Sequence, residues 1–272
     1  MSENDRPRYA DGEEVRIGDA AWDRESRYPA GMFDVLGSNP AGVVFVDSGS
    51  GQKKLAQPFD PARFVLVERM SRDYRRAVFG WLRARAIAGD AEAEFAVAML
   101  LCEGIGTALD PHEGVKWYRK CAERGDAEAQ AQIGWLYARG EGVAQDDAAA
   151  CEWFLKAAEA GEPTAQYGLA CCYDQGLGIA ADPAQAVRWY LASAKQGIPE
   201  ALCNLADKYE HGKGVKQDLV RAFEMYTLAA ENGVVAAMAG LAGMYRDGRG
   251  TARDDEAAAR WMAEARDRGW PN

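Results

Sequence analysis

Apolar residues recur at helical spacing along most of the chain beyond residue 88. Between Gly125 and Gly161, Ala129, Ile133 and Tyr137 are four residues apart, and this stripe predicts an α-helix, called helix A here. A second apolar stripe predicts a following helix, helix B; its members are Ala150, Trp153, Phe154 and Ala157. The segment between the two stripes is polar and rich in glycine, which predicts a tight turn.

The same pattern returns every 36 residues. The periodic glycines are Gly89, Gly125, Gly161, Gly197, Gly233 and Gly269. A fixed period of this length is typical of stacked repeats. The sequence therefore predicts five helix–turn–helix repeats over 89–124, 125–160, 161–196, 197–232 and 233–268, followed by a tail at 269–272.

The turn of each repeat contains a Gly-x-Gly pair, such as Gly140 and Gly142, followed by an aspartate such as Asp146. A phosphate-binding loop occurs once and follows a strand, whereas this pair occurs five times and follows a helix. Glycine accepts the left-handed backbone of a helix C-terminus, and aspartate caps a helix N-terminus. The pair therefore predicts a corner between two helices, without a bound nucleotide.

These residues resemble the Sel1-like repeat family, relatives of the tetratricopeptide repeat. The residues that carry the resemblance in the second repeat are Gly125, Ala129, Ile133, Tyr137, Gly140, Gly142, Val143, Asp146, Ala150, Trp153, Phe154, Ala157, Ala158 and Gly161. The resemblance covers residues 89–269 and implies a mainly α fold, a right-handed α-α superhelix. It also implies a non-catalytic adaptor that binds a partner protein in a concave groove. An alternative implied role is a bacterial immunity protein that neutralises a secreted toxin, such as a type VI lipase or phospholipase.

Two further segments precede the repeats. Residues 71–88 contain Trp81 and Ala86, which are in step with Trp117 and Ala122, so they predict a lone helix B that caps the array. This helix is rich in arginine and suggests either a solvated face or a basic docking surface; the candidates are Arg72, Arg75, Arg76 and Arg83. Residues 1–70 contain short β-rich runs between turn formers, which predict a small β-rich module, with an SH3-like barrel as one candidate fold.

Helix A also carries a second stripe beside its core stripe, and this stripe predicts the partner-binding groove. The candidate residues are Glu92, Met99, Glu128, Gln132, Trp135, Arg139, Gln175, Asn204, Asp207 and His211. Trp135 is distinctive because the other repeats have smaller or polar residues at its position, and tryptophan is enriched in interface hot spots. The alternative is that Trp135 only fills space between neighbouring A helices. The acidic rim favours a partner with basic side chains.

Composition and charge exclude several classes of partner and site. A net charge of −10 argues against nucleic acid as a partner. The chain has two histidines and no recognisable catalytic motif, so no catalytic residue, metal or cofactor is predicted. With no signal peptide or membrane span evident, the sequence predicts a cytoplasmic location without membrane insertion. The six cysteines are then expected to be free packing thiols, with a redox sensor at Cys171 or Cys172 as a less favoured alternative.

Overall fold

The computed structural model of the chain describes residues 72–271, and the β-rich module predicted for residues 1–70 lies outside them. Residues 72–271 form eleven α-helices and no strand. The helices are α1 (Arg72–Ile87), α2 (Ala91–Glu103), α3 (Pro111–Glu123), α4 (Ala127–Arg139), α5 (Asp147–Glu159), α6 (Pro163–Gln175), α7 (Pro183–Lys195), α8 (Pro199–His211), α9 (Leu219–Glu231), α10 (Val235–Asp247) and α11 (Asp255–Asp267). The mainly helical repeat fold predicted from the period is confirmed.

The chain divides at residue 120 into two compact units, and residues 72–120 belong to the first. Here α1 packs against α2. Phe79, Leu82 and Ala86 on α1 are buried in one cluster with Val97 and Leu101 on α2. Of the two residues that predicted a helix in residues 71–88, Ala86 is buried in this cluster, and Trp81 is half-buried and packs against it. The assignment of α1 as a half repeat stays a prediction.

The second unit contains helices α4 to α11 in full, and each of these helices packs against the next one in the chain. Its interior contains small residues, mostly alanine, and an aromatic ring at successive junctions between repeats. One cluster surrounds Phe154 and Leu169, and another surrounds Tyr190, Leu205 and Leu241. Alanine at the predicted core positions lets neighbouring helices approach closely, while one ring per junction fills the remaining space.

The predicted corner is present at the end of α4. Gly140 follows the helix with φ +70°, the left-handed conformation that glycine adopts without a side-chain clash. Asp146 then precedes α5 and accepts a hydrogen bond from the amide of Ala149 at 3.0 Å. The corner is thus made by a C-terminal glycine and an N-terminal aspartate cap, as the sequence predicts.

The second glycine of the pair has a role that the sequence did not reveal. A Cβ atom on Gly178 would lie 2.4 Å from the carbonyl group of Asp147, at the start of the preceding helix B. Gly214 and Gly250 approach the backbone of Pro183 and Leu219 in the same way. In each case the two residues are 31 apart, so this glycine is the point where one repeat touches the backbone of the previous one.

Candidate protein-binding surface

The predicted groove residues of the second unit lie on three A helices, α4, α6 and α8. We call them the A-helix surface: Glu128, Gln132, Trp135, Arg139, Gln175, Asn204, Asp207 and His211. All of them are half-buried or exposed, as a binding surface requires. In the first unit Glu92 and Met99 lie on α2, and both are half-buried.

Trp135 lies at the centre of an aromatic cluster. Its ring meets the ring of Phe154 edge-on at a centroid distance of 4.8 Å and tilts toward Tyr167 at 6.2 Å. The guanidinium of Arg139 lies 5.6 Å from its ring centroid, one helical turn further along α4. Trp135 nevertheless remains partly exposed. It therefore fills space between α4 and α6 and also presents ring surface to solvent.

Two glycines explain how this cluster forms. A Cβ atom on Gly134 would lie 2.5 Å from the ring of Phe154, and one on Gly168 would lie 2.9 Å from the same ring. Phe154 thus occupies a slot between α4 and α6 that only glycine leaves open. The same ring contacts Trp135, so Phe154 supports the position of Trp135 between these two helices.

Asn204 occupies the position in its repeat that Gly168 occupies in the previous one. The ring that faces it is Tyr190, whose hydroxyl accepts a hydrogen bond from Asn204 Nδ2 at 3.1 Å. A buried tyrosine hydroxyl needs a polar partner, whereas phenylalanine does not. Asn204 therefore has a packing role as well as its predicted place on the surface.

The acidic character predicted for the rim is reduced by internal ion pairs. Asp207 Oδ1 lies 2.9 Å from His211 Nδ1, while its Oδ2 atom lies 3.6 Å from Lys208 Nζ and 3.7 Å from Lys213 Nζ. A carboxylate surrounded by these groups attracts a basic partner less strongly than an unpaired one would.

Three residues beside the A-helix surface were not among the predicted groove residues. They are Tyr167, Asp174 and Tyr190. Tyr190 belongs to helix B, so a search of A helices alone does not reach it. Tyr167 precedes Cys171 by one helical turn, and its aromatic ring at a position held by Ala131, Cys203 and Ala239 in the other repeats of the second unit was the available signal. Burial, with the neighbouring Cys171, raises the pKa of both tyrosine hydroxyls well above the usual value.

The prediction of six free thiols is wrong for two of them. Cys151 on α5 and Cys172 on α6 form a disulfide, although 21 residues separate them. The sequence carried no Cys-x-x-Cys spacing, and only the packing of one repeat on the next brings these two side chains together. Cys102, Cys121, Cys171 and Cys203 remain thiols. Burial raises the pKa of Cys171, which is the opposite of what an activated sensor thiol needs.

The predicted basic surface on α1 is partly engaged within the first unit. Arg83 Nη2 forms an ion pair with Glu113 Oε1 at 3.0 Å, while Arg76 is exposed and Arg75 is half-buried. The side chain of Arg72 lies outside the described residues.

Two kinds of site are absent from the described part of the chain. Over residues 72–271 no group of three or more His, Cys, Asp or Glu side chains could hold a metal ion. Among the same residues, every helix is too short or too polar to cross a bilayer.

Comparisons with known proteins agree with this architecture. The family model of the Sel1 repeat matches residues 91–126, 127–162, 163–198, 199–234 and 235–270, two residues out of phase with the predicted repeats. No curated protein matches the chain.

Two similar solved structures are helical repeat proteins. A Sel1 repeat protein from Oxalobacter formigenes is 34% identical with a TM-score of 0.66, over 71% of this chain and 80% of its own. A protective antigen of uropathogenic Escherichia coli strains, which displays an SLR fold, is 29% identical with a TM-score of 0.67 over 77% of this chain. The match spans 44% of the antigen, less than half of its length. The five matched repeats cover about two thirds of the sequence, and the chain belongs to the Sel1 repeat family.

Proposed function

We propose that this protein is a non-catalytic adaptor that binds a partner protein on the A-helix surface, with Trp135 as the main contact. Sel1 repeat proteins generally mediate protein–protein interactions, and no enzymatic family is indicated for this chain. The observation that carries the proposal is the side chain of Trp135, which packs against Phe154 and Tyr167 and remains partly exposed. A rigid aromatic side chain loses little conformational freedom on binding, so its surface contributes strongly to affinity.

The test uses capture of partners by the immobilised full chain, followed by titration of each captured protein. Trp135→Ala is compared with Trp153→Ala, a matched control on helix B whose half-buried ring is covered by Lys156 Nζ at 4.3 Å. A hot-spot loss of about 2 kcal/mol weakens binding about 30-fold for Trp135→Ala and leaves the control near wild type. Far-UV circular dichroism verifies that both variants remain folded.

Two outcomes contradict the proposal. One is a partner that binds wild type and Trp135→Ala equally, and the other is an equal loss of binding in both tryptophan variants. The immunity alternative places a toxin on the same surface, and the same pair of variants tests it.

A further inference from the structure

The disulfide lies at the junction between the second and third repeats. Cys151 is on helix B of one repeat and Cys172 is on helix A of the next, with their Cα atoms 6.3 Å apart. Both residues are buried, with 2% and 4% of their surface exposed. The bond therefore joins two repeats covalently through the interior of the second unit.

The corresponding positions of the other repeats contain no cysteine. The position of Cys151 is held elsewhere by Val115, Val187, Phe223 and Ala259, and the position of Cys172 by Leu100, Leu136, Lys208 and Met244. A covalent bond thus replaces ordinary side-chain packing at one junction of the array. Within the second unit, this junction differs in chemistry from the two that follow it, while the same helix pairing is kept at all three.

The same junction carries the aromatic cluster. Cys151 precedes Phe154 by one turn on α5, and Phe154 occupies the slot between Gly134 and Gly168. The ring of Trp135 rests on Phe154. A change in the spacing of α5 and α6 would therefore move Phe154 in its slot and change the support of Trp135, since close-packed interiors transmit such shifts.

We propose that oxidation of Cys151 and Cys172 regulates the A-helix surface, which reaches its binding geometry only in the oxidised chain. This inference rests on the proposed function. The oxidant is a disulfide compound. One cysteine thiolate attacks it and releases a first small thiol, and the second cysteine thiolate then displaces the other. Two protein thiols and one oxidant disulfide give one protein disulfide and two small thiols.

Because both sulfur atoms are buried, thiol–disulfide exchange cannot occur in the closed structure. The exchange requires that α5 and α6 separate, either during folding or by local opening, because a thiolate must reach the sulfur in line. Once the two helices close, the bond is shielded from reductants. We therefore expect slow reduction of the native chain and fast reduction in denaturant.

The experiment combines thiol counting with a fluorescence measurement that needs no partner. Iodoacetamide labelling in denaturant is expected to modify the four remaining thiols without reductant and all six cysteines after reduction. The emission of Trp135 is taken as the difference between wild type and Trp135→Phe. This emission is expected to shift in Cys151→Val/Cys172→Leu, which copies the residue types found at Val115 and Leu136.

Cys171→Ser is the matched control, because it removes the thiol next to Cys172 and leaves the disulfide in place. It should retain the wild-type emission, while the double variant should lose about 5–10 °C of thermal midpoint. Six labelled cysteines without reductant would overturn the proposal, and so would unchanged Trp135 emission in a folded double variant. Loss of partner binding by Trp135→Ala together with unchanged emission would leave the proposed function intact and remove only its redox regulation.

Discussion

Lys208 Nζ lies 2.5 Å from Asp174 Oδ1, and this ion pair joins the A helices of the third and fourth repeats. The lysine side chain is 7% exposed and the aspartate side chain 19% exposed. Asp174 Oδ2 also accepts a hydrogen bond from the hydroxyl of Tyr190 at 3.3 Å. The corresponding positions of the second repeat hold Leu136 and Ala138, and those that face each other across the preceding junction are Ala138 and Cys172, so the pair is a feature of this junction.

Removing Lys208 leaves the partly buried carboxylate of Asp174 without its cation, with the hydroxyl of Tyr190 still donating to it. We expect Lys208→Leu to lower the free energy of unfolding by about 3–5 kcal/mol. The double variant Asp174→Ala/Lys208→Leu copies the second repeat and should recover most of the loss, because a buried ion pair and apolar packing are of similar stability. Urea unfolding of the single and double variants measures the coupling free energy between Asp174 and Lys208. If the losses from the two single substitutions simply add in the double variant, the prediction is wrong.

The two types of periodic glycine should differ in their tolerance of alanine. Gly161 has φ +93° with open space around its missing side chain, so Gly161→Ala should cost about 1–2 kcal/mol of backbone strain. Gly178 has φ +67°, and a Cβ atom there would also meet the backbone of Asp147. Gly178→Ala should therefore cost at least about 3 kcal/mol. Equal urea midpoints for the two variants would show that the close approach of the repeats contributes nothing.

The repeat period predicts most of the fold of residues 89–268. Glycine and aspartate act through the backbone of their own turn, so Gly140 and Asp146 could be assigned from local sequence alone. The contact of Gly178 with Asp147 could not, because it depends on how one repeat lies against the previous one. The same limit explains the missed disulfide between Cys151 and Cys172.

The surroundings of the A-helix surface could be predicted only in part from the sequence. Helical spacing placed Trp135 and Asp207 correctly on partly exposed faces of A helices. It could not show that the charge of Asp207 is shared with three neighbouring basic groups, since Lys213 lies in the following turn. Nor could it show that Asn204 hydrogen-bonds to Tyr190, because that ring comes from the preceding helix B.

Stability should fall in alkali because of Tyr190. Burial raises the pKa of its hydroxyl in the folded chain, so above about pH 10 the unfolded chain loses this proton while the folded chain keeps it. Ionisation then favours unfolding, by about 1.4 kcal/mol per pH unit for each such tyrosine. Tyr190→Phe should lose less stability than wild type between pH 8 and pH 11. The urea midpoint of wild type and of Tyr190→Phe is measured from pH 8 to pH 11. An equal decrease in both proteins would contradict the assignment to Tyr190.

The half-buried thiol of Cys171 and the buried thiol of Cys203 should react slowly in the native protein. Burial, together with nearby acidic groups, raises the pKa of Cys203 to about 11, and burial raises the pKa of Cys171 as well. At pH 8 roughly one Cys203 side chain in a thousand is then a thiolate, which is the reactive form. Labelling with an aromatic disulfide reagent, followed by mass spectrometry, should show both residues modified much more slowly in native than in unfolded protein. Rapid labelling of native Cys171, abolished by Cys171→Ser, would instead favour the thiol-sensor alternative over the packing role.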